Sequence, residues 1–169
     1  MAAQNQNFFT RLFARKQQDE VVVQPELDES KIATNAQTLP HTLLALTPEQ
    51  EAAFPEEVKV DLQKRVAKLP PINVGEFNFV PFEAGQLQGG YYVKVFIRNG
   101  RDVSEEIGLE QVPLHLVDAS GEKVASGLFR VQNFGTLKFG EARFWSFAWR
   151  ADQIKKPDAD FSRFTVEFE

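Results

Sequence analysis

The side chains most often recruited for chemistry are sparse in this chain and scattered where they occur. His41 and His115 lie in different segments, and neither has a cysteine or a second histidine at metal-ligand spacing. His115 alternates with Leu114 and Leu116, so it points to the opposite sheet face and reads as a structural or solvent-facing residue. Glu105-Glu106, beside Arg101 and Asp102, could hold Ca²⁺ only if further oxygens converged, and the dense alternation of oxygen ligands in a calcium loop is missing. It reads as a solvated charge run. The string from Gly85 to Gly90 has neither the spacing nor the following helix of a phosphate-binding loop, and no Gly-x-Ser-x-Gly elbow is present. With no cysteine, thiol nucleophiles, disulfides and thiolate metal sites are excluded. No catalytic, cofactor-binding or metal residue is assigned, no cofactor is expected, and the expectation is a binding protein rather than an enzyme.

One stretch does carry a surface chemistry. Phe8, Phe9, Leu12 and Phe13 recur at helical spacing, and Arg11, Arg15 and Lys16 stand between and after them. Apolar burial plus basic charge is what attachment to a membrane surface or a partner groove requires. These seven residues are the candidate partner- or membrane-binding site.

The rest of the chain must position whatever the protein binds. At 169 residues there is room for one domain and a tail. The 16 phenylalanines against a single methionine favour a core of rings set on pleated strands. A net charge of −5, with basic residues spread singly, argues against nucleic-acid binding. No apolar run approaches the roughly 20 residues needed to cross a bilayer, and nothing at the start reads as a signal peptide, so the expected location is cytoplasmic.

Residues 1–37, rich in Gln, Asn and acid, are expected to form a largely disordered tail. Residues 38–70 read as a two-helix preface. Thr47-Pro48-Glu49-Gln50 carries the signs of a capped helix start, with Thr47 as cap, Pro48 in the first turn and Gln50 closing the box. Val58, Leu62, Val66 and Leu69 then fall on one face of a second helix, which Pro70-Pro71 ends and which needs a surface to bury against. From residue 71 to 169 the period changes to two. Strands are predicted over 77–82, 91–98, 112–117, 123–131 and 142–149, with a last one around Phe164, Val166 and Phe168. Trp145, Phe147 and Trp149 share a face, and at least two of them should be core. Short strands joined by Gly and Asx turns, with no room for crossover helices, point to a mainly β, antiparallel immunoglobulin-like β-sandwich, with a small closed barrel as runner-up.

The strand segments also carry a resemblance. Gly-Gly-Tyr-Tyr-Val-Lys-Val-Phe-Ile-Arg-Asn-Gly (89–100), Val-Pro-Leu-His-Leu-Val-Asp-Ala-Ser-Gly-Glu-Lys-Val-Ala (112–125) and Gly-Thr-Leu-Lys-Phe-Gly-Glu-Ala-Arg-Phe-Trp-Ser-Phe (135–147) come in that order after a helical preface ending in Leu-Pro-Pro (69–71). Together they resemble the SLAP domain of accessory Sec system S-layer assembly proteins of Gram-positive bacteria, over roughly residues 39–168. The resemblance implies a non-enzymatic factor that assists accessory Sec-dependent protein export and S-layer assembly. It implies a protein partner, either the accessory Sec translocase or an exported S-layer protein, with peripheral membrane contact on the inner face. The alternative is an extracytoplasmic, wall-associated immunoglobulin-like binding module, which the missing signal peptide disfavours.

Overall fold

The structure, a computed structural model, describes residues 37–101 and 107–169. In chain order the elements are β1 (Thr38–Leu39), β2 (Leu43–Leu44), α1 (Pro48–Ala53), α2 (Glu56–Ala67), β3 (Ile72–Asn73), β4 (Phe77–Leu87) and β5 (Gly90–Asn99). There follow β6 (Ile107–Gly108), β7 (Gln111–Val117), β8 (Lys123–Arg130), β9 (Thr136–Leu137), β10 (Glu141–Trp149), a 3-10 turn (Ala151–Gln153) and β11 (Thr165–Phe168). The expected disordered tail lies outside the described residues.

Two sheets form the sandwich, one in the order β2-β10-β5-β4 and the other β11-β7-β8. The β4–β5 hairpin lies in the first sheet and β7–β8 in the second; β10 returns to pair with β5, and β11 crosses again to pair with β7. Such alternate crossing is the Greek-key habit of immunoglobulin-like sandwiches. Two small ribbons, β1–β3 and β6–β9, complete the architecture. Both facing surfaces are apolar. Val93, Val95, Ile97, Phe147 and Trp149 of the first sheet meet Leu114, Leu116, Val124 and Val166 of the second. The rings interlock, with Phe79 stacked on Phe147 at 6.1 Å and Phe129 edge-on to Phe147 at 5.0 Å and to Trp149 at 5.3 Å. Phe147 and Trp149 are buried and Trp145 is half-buried against the same core, as the period-two pattern predicts.

The first sheet is apolar on its outer face as well. Phe96 is fully buried although it points away from the sandwich interior, because α2 lies over it. Leu62 and Val66 of α2 cover Phe96 and Ala142, with Leu44, Leu46, Phe54, Leu69, Phe82 and Phe144 around them. Phe82 reaches this layer through a bulge: β4 shifts register against β5 between Pro81 and Glu83. Phe82 then stacks on Phe96 at 4.7 Å. The strand predicted to stop at Phe82 continues to Leu87, since Pro81 sits on an edge strand where its missing N–H costs no ladder bond. Its hairpin closes through Gln88 and Gly89, whose positive φ values of 52° and 82° are those of a tight two-residue β-turn.

α1 has the predicted reciprocal cap. Gln50 N donates to Thr47 Oγ1 at 3.1 Å and Thr47 N to Gln50 Oε1 at 3.0 Å, while Gln50 Nε2 donates to the Phe144 carbonyl at 2.9 Å. The cap therefore also fastens the helix to the sheet. Two expectations are corrected. Residues 38–44 are not helical: β1 pairs with β3, and β2 joins the first sheet parallel to β10, because these residues continue the sheet edge before the chain can turn onto its face. Val58 is not buried but 38% exposed, since it lies in the first turn of α2, one turn short of the patch that Leu62 and Val66 cover.

The contrast between Leu62 and Val58 tests this layer. Leu62→Ala should cost about 2–5 kcal/mol as a core truncation, and Val58→Ala less than about 0.5 kcal/mol as a surface change. Equal shifts of the denaturant midpoint in the two variants would show that α2 does not pack on the sheet through this face.

Candidate binding surface

The sequence-derived site, Phe8, Phe9, Arg11, Leu12, Phe13, Arg15 and Lys16, lies outside the described residues, as do Asp102, Glu105 and Glu106. What the structure does place is every motif residue from 89 to 147 outside that loop, and nearly all of them are spent on holding the chain together.

Phe-Ile-Arg-Asn-Gly (96–100) shows this residue by residue. Phe96 faces the helices and Ile97 the sandwich core. The Arg98 guanidinium, 2% exposed, donates to the Pro70 carbonyl at 2.8 Å and to Asn78 Oδ1 at 3.3 Å, fixing the exit of α2 to the sheet. Burial pushes its pKa down to about 10 against the opposing pull of Glu76, so it stays charged at neutral pH. Asn99 donates to the Leu137 carbonyl at 2.8 Å and accepts from Arg101 N at 2.9 Å. Position 100 must be glycine, because a Cβ there would sit 2.7 Å from the Asn73 carbonyl oxygen and 2.8 Å from that of Glu76. Arg143 plays the matching part on β10. It donates to the carbonyls of Ala45 (2.7 Å), Phe134 (2.7 Å) and Thr136 (3.0 Å), with its guanidinium 5.0 Å from the centre of the Phe134 ring.

Pro-Leu-x-Leu-x-Asp (113–118) ends in a carboxylate that ties the end of the chain to the β7–β8 hairpin. Asp118 Oδ1 accepts from Ser120 N at 3.0 Å and Ser120 Oγ at 2.6 Å, and Oδ2 from Lys156 Nζ at 3.0 Å and Asp160 N at 3.0 Å. These donors, led by Ser120 and Asp160, hold the Asp118 carboxyl well below the usual carboxylate range. Lys156 also meets Glu122 at 2.9 Å, and Tyr91 donates its hydroxyl to the Lys156 carbonyl at 2.8 Å. Only a turn is legible at Asp118-Ala119-Ser120-Gly121 in the sequence; the Asp-x-Ser pattern signals a side-chain-closed turn, but partners 38 and 42 residues away carry no local signal.

His115 is not exposed. It is buried at 6% exposure on the outer face of the second sheet, with Nδ1 2.5 Å from Ser126 Oγ. Among the described residues, no group of three or more His, Cys, Asp or Glu is arranged to hold a metal ion, and no helix is long and apolar enough to cross a membrane. What remains open to partners is apolar surface at sheet edges and hairpin ends. Leu43 is 74% exposed on β2, Leu128 61% on edge strand β8, and Leu87 50% at the β4–β5 turn. Phe139, also exposed, directly precedes Gly140, whose carbonyl accepts from the Leu43 N–H at 2.9 Å.

The Asp118 carboxylate gives a pH signature. Its folded-state pKa lies below the unfolded value of about 3.9, so its contribution is complete above about pH 5 and is lost as pH falls through 4 toward the folded value. Denaturant midpoints measured from pH 7 to pH 2 should therefore show Asp118→Asn less stable at pH 7, with the gap to wild type closing in acid. A gap that stays constant with pH would mean that the carboxylate charge contributes nothing.

Comparison with curated proteins gives no match, and comparison with solved structures gives none either. A family model does match: the SLAP domain, over residues 44–169. The matched span begins in β2, takes in both helices and both sheets, and includes each buried polar tie described above. The chain therefore belongs to the SLAP domain family.

Proposed function

We propose that this protein is a non-enzymatic binding factor that assists the export and assembly of S-layer proteins alongside an accessory Sec translocase. The family ties the chain to S-layer and surface-associated proteins. The observation that carries the reading further is the disposition of the motif residues: Arg98, Asn99, Arg143 and Asp118 all bond inward to the chain itself, which leaves the domain as a rigid carrier of surfaces. Binding on such a scaffold is the work of edges, loops and the N-terminal segment. The partner in this proposal is the accessory Sec translocase or the exported S-layer protein, met on the cytoplasmic side of the membrane in a Gram-positive cell. No nucleic acid takes part, consistent with the net charge of −5. Deleting the gene in the native cell should leave S-layer protein inside the cell while general secretion continues. An intact S layer on the deleted strain would overturn the proposal.

The N-terminal tip supplies the membrane contact. Phe8, Phe9, Leu12 and Phe13 provide apolar burial, and Arg11, Arg15 and Lys16 provide attraction to anionic head groups at about 1 kcal/mol per basic residue. Flotation with anionic liposomes should carry the wild type upward at low salt and less of it at physiological salt, since exposed charges are screened. The Phe8→Glu, Phe13→Glu double variant should stay at the bottom of the gradient. Failure of the wild type to float in either buffer would remove direct lipid binding.

A further inference from the structure

We propose that His115 is an acid-operated clasp, whose protonation at mildly acidic pH loosens the edge strand β11 from the sheet β11-β7-β8. The imidazole stands where three strands meet. It belongs to the central strand β7, bonds across to Ser126 on β8, and approaches Glu169, which directly follows β11. Both cross-strand neighbours are in register with it, Ser126 on one side and Glu167 on the other.

The pocket suits a neutral ring. Glu169 Oε1 lies 3.3 Å from Nε2 but outside hydrogen-bonding geometry, so the buried nitrogen is left without a partner. In the doubly protonated ring Nδ1 can only donate, so the Ser126 hydroxyl must accept from it, while the second N–H, on Nε2, has no hydrogen-bond partner in the closed sheet. The added charge would face Lys123 on β8 and Lys155 beyond the 3-10 turn, against Glu167 and Glu169 on the β11 side. Glu169 is 68% exposed, so water screens most of what it could return. Burial and the two lysines together push the His115 pKa below the ordinary value of about 6.5.

The place for the proton is therefore outside the closed sheet, and opening β11 provides it. β11 has one strand neighbour and is four residues long, held by the burial of Val166 and by Phe168 edge-on to Phe79 at 4.5 Å. Short edge strands of this kind open locally at a fraction of the global unfolding free energy. An opening that takes up one proton becomes easier by at most tenfold for each pH unit below about 6.5, until the closed form is itself protonated.

Histidine-selective NMR titration of the full chain, combined with amide hydrogen exchange between pH 7.5 and pH 5, tests this. His115 should titrate below the ordinary histidine value of about 6.5, and after correction for intrinsic exchange the protection of the Val166 and Phe168 amides should fall with pH by up to tenfold per unit. Protection of Val93 and Val95 in the first sheet should hold. His115→Gln, which cannot titrate there, should flatten the dependence at β11. Titration of His115 at or above the ordinary histidine value of about 6.5, unchanged protection of β11, or a parallel fall in both sheets would each overturn the clasp. The wild-type measurements decide the matter even if the variant folds poorly.

Discussion

The fold turns on a sheet that is apolar on both faces. A strand that buries one side yields an inside-outside alternation, and β5 has that alternation on its inner face in Val93, Val95 and Ile97. Its outer face carries Phe96 between the half-buried Phe82 and Phe144, and such a surface left in water would be an aggregation site. The chain from β2 through α2 answers that need. α2 lies across the rings, α1 is pinned beside it by Gln50, and β2 continues the sheet under them through a parallel pairing with β10. The sandwich is thus the middle and far layers of a three-layer domain, and the helices belong to the fold as much as the strands do.

Covering a sheet with helices brings irregular chain to places water cannot reach. The Pro70 carbonyl just beyond α2 and the connections around β9 then need donors. A guanidinium is well suited to this because it offers five N–H groups in a planar fork and stays ionised when its pKa drops. Arg98 serves Pro70, and Arg143 serves Ala45, Phe134 and Thr136 at once. Arg143 thus binds backbone from two segments and cannot be exchanged for lysine without loss of that fork, while Arg98 joins the Pro70 carbonyl to the Asn78 side chain. The carboxylate of Asp118 does the converse at the other end, collecting backbone and side-chain donors from the hairpin and from the final stretch of chain.

Sequence reading recovers those elements whose cause is local. The strand at 91–98 is visible because its alternation is unbroken, the capping box because its two partners are three residues apart, and the end of α2 because proline forbids its continuation. The misses share a different cause. β1 and β2 are two residues each and owe their strand conformation to partners at Ile72–Asn73 and Glu141–Ala142, which no window centred on residue 39 or 43 contains. Val58 fits the helical stripe and yet stays exposed, because periodicity gives the direction of a face but not the extent of the surface beneath it. His115 is correctly oriented by its neighbours Leu114 and Leu116, while its burial depends on Ser126 and Glu169. The tip at Phe8–Lys16 is legible only as composition and spacing, since the described residues begin at 37.

The motif residues on which the resemblance to the family rests include several that hold this fold together, and this shapes what membership transmits. Gly100 is fixed by two carbonyl oxygens, Arg98 by the helix exit and Phe96 by the helix itself. A chain that keeps these keeps the scaffold, whatever it binds. Leu43, Leu87 and Leu128 make no such contribution: they are large apolar side chains exposed at an edge strand, a hairpin tip and the rim of the second sheet. No packing demand explains a leucine at 74% exposure, and its solvation is a cost. Members of the family that share a partner should therefore agree at such exposed positions as well as at the motif, whereas members that share only the fold need agree at the motif alone. Specificity in a domain built this way is carried by the residues that the scaffold leaves free.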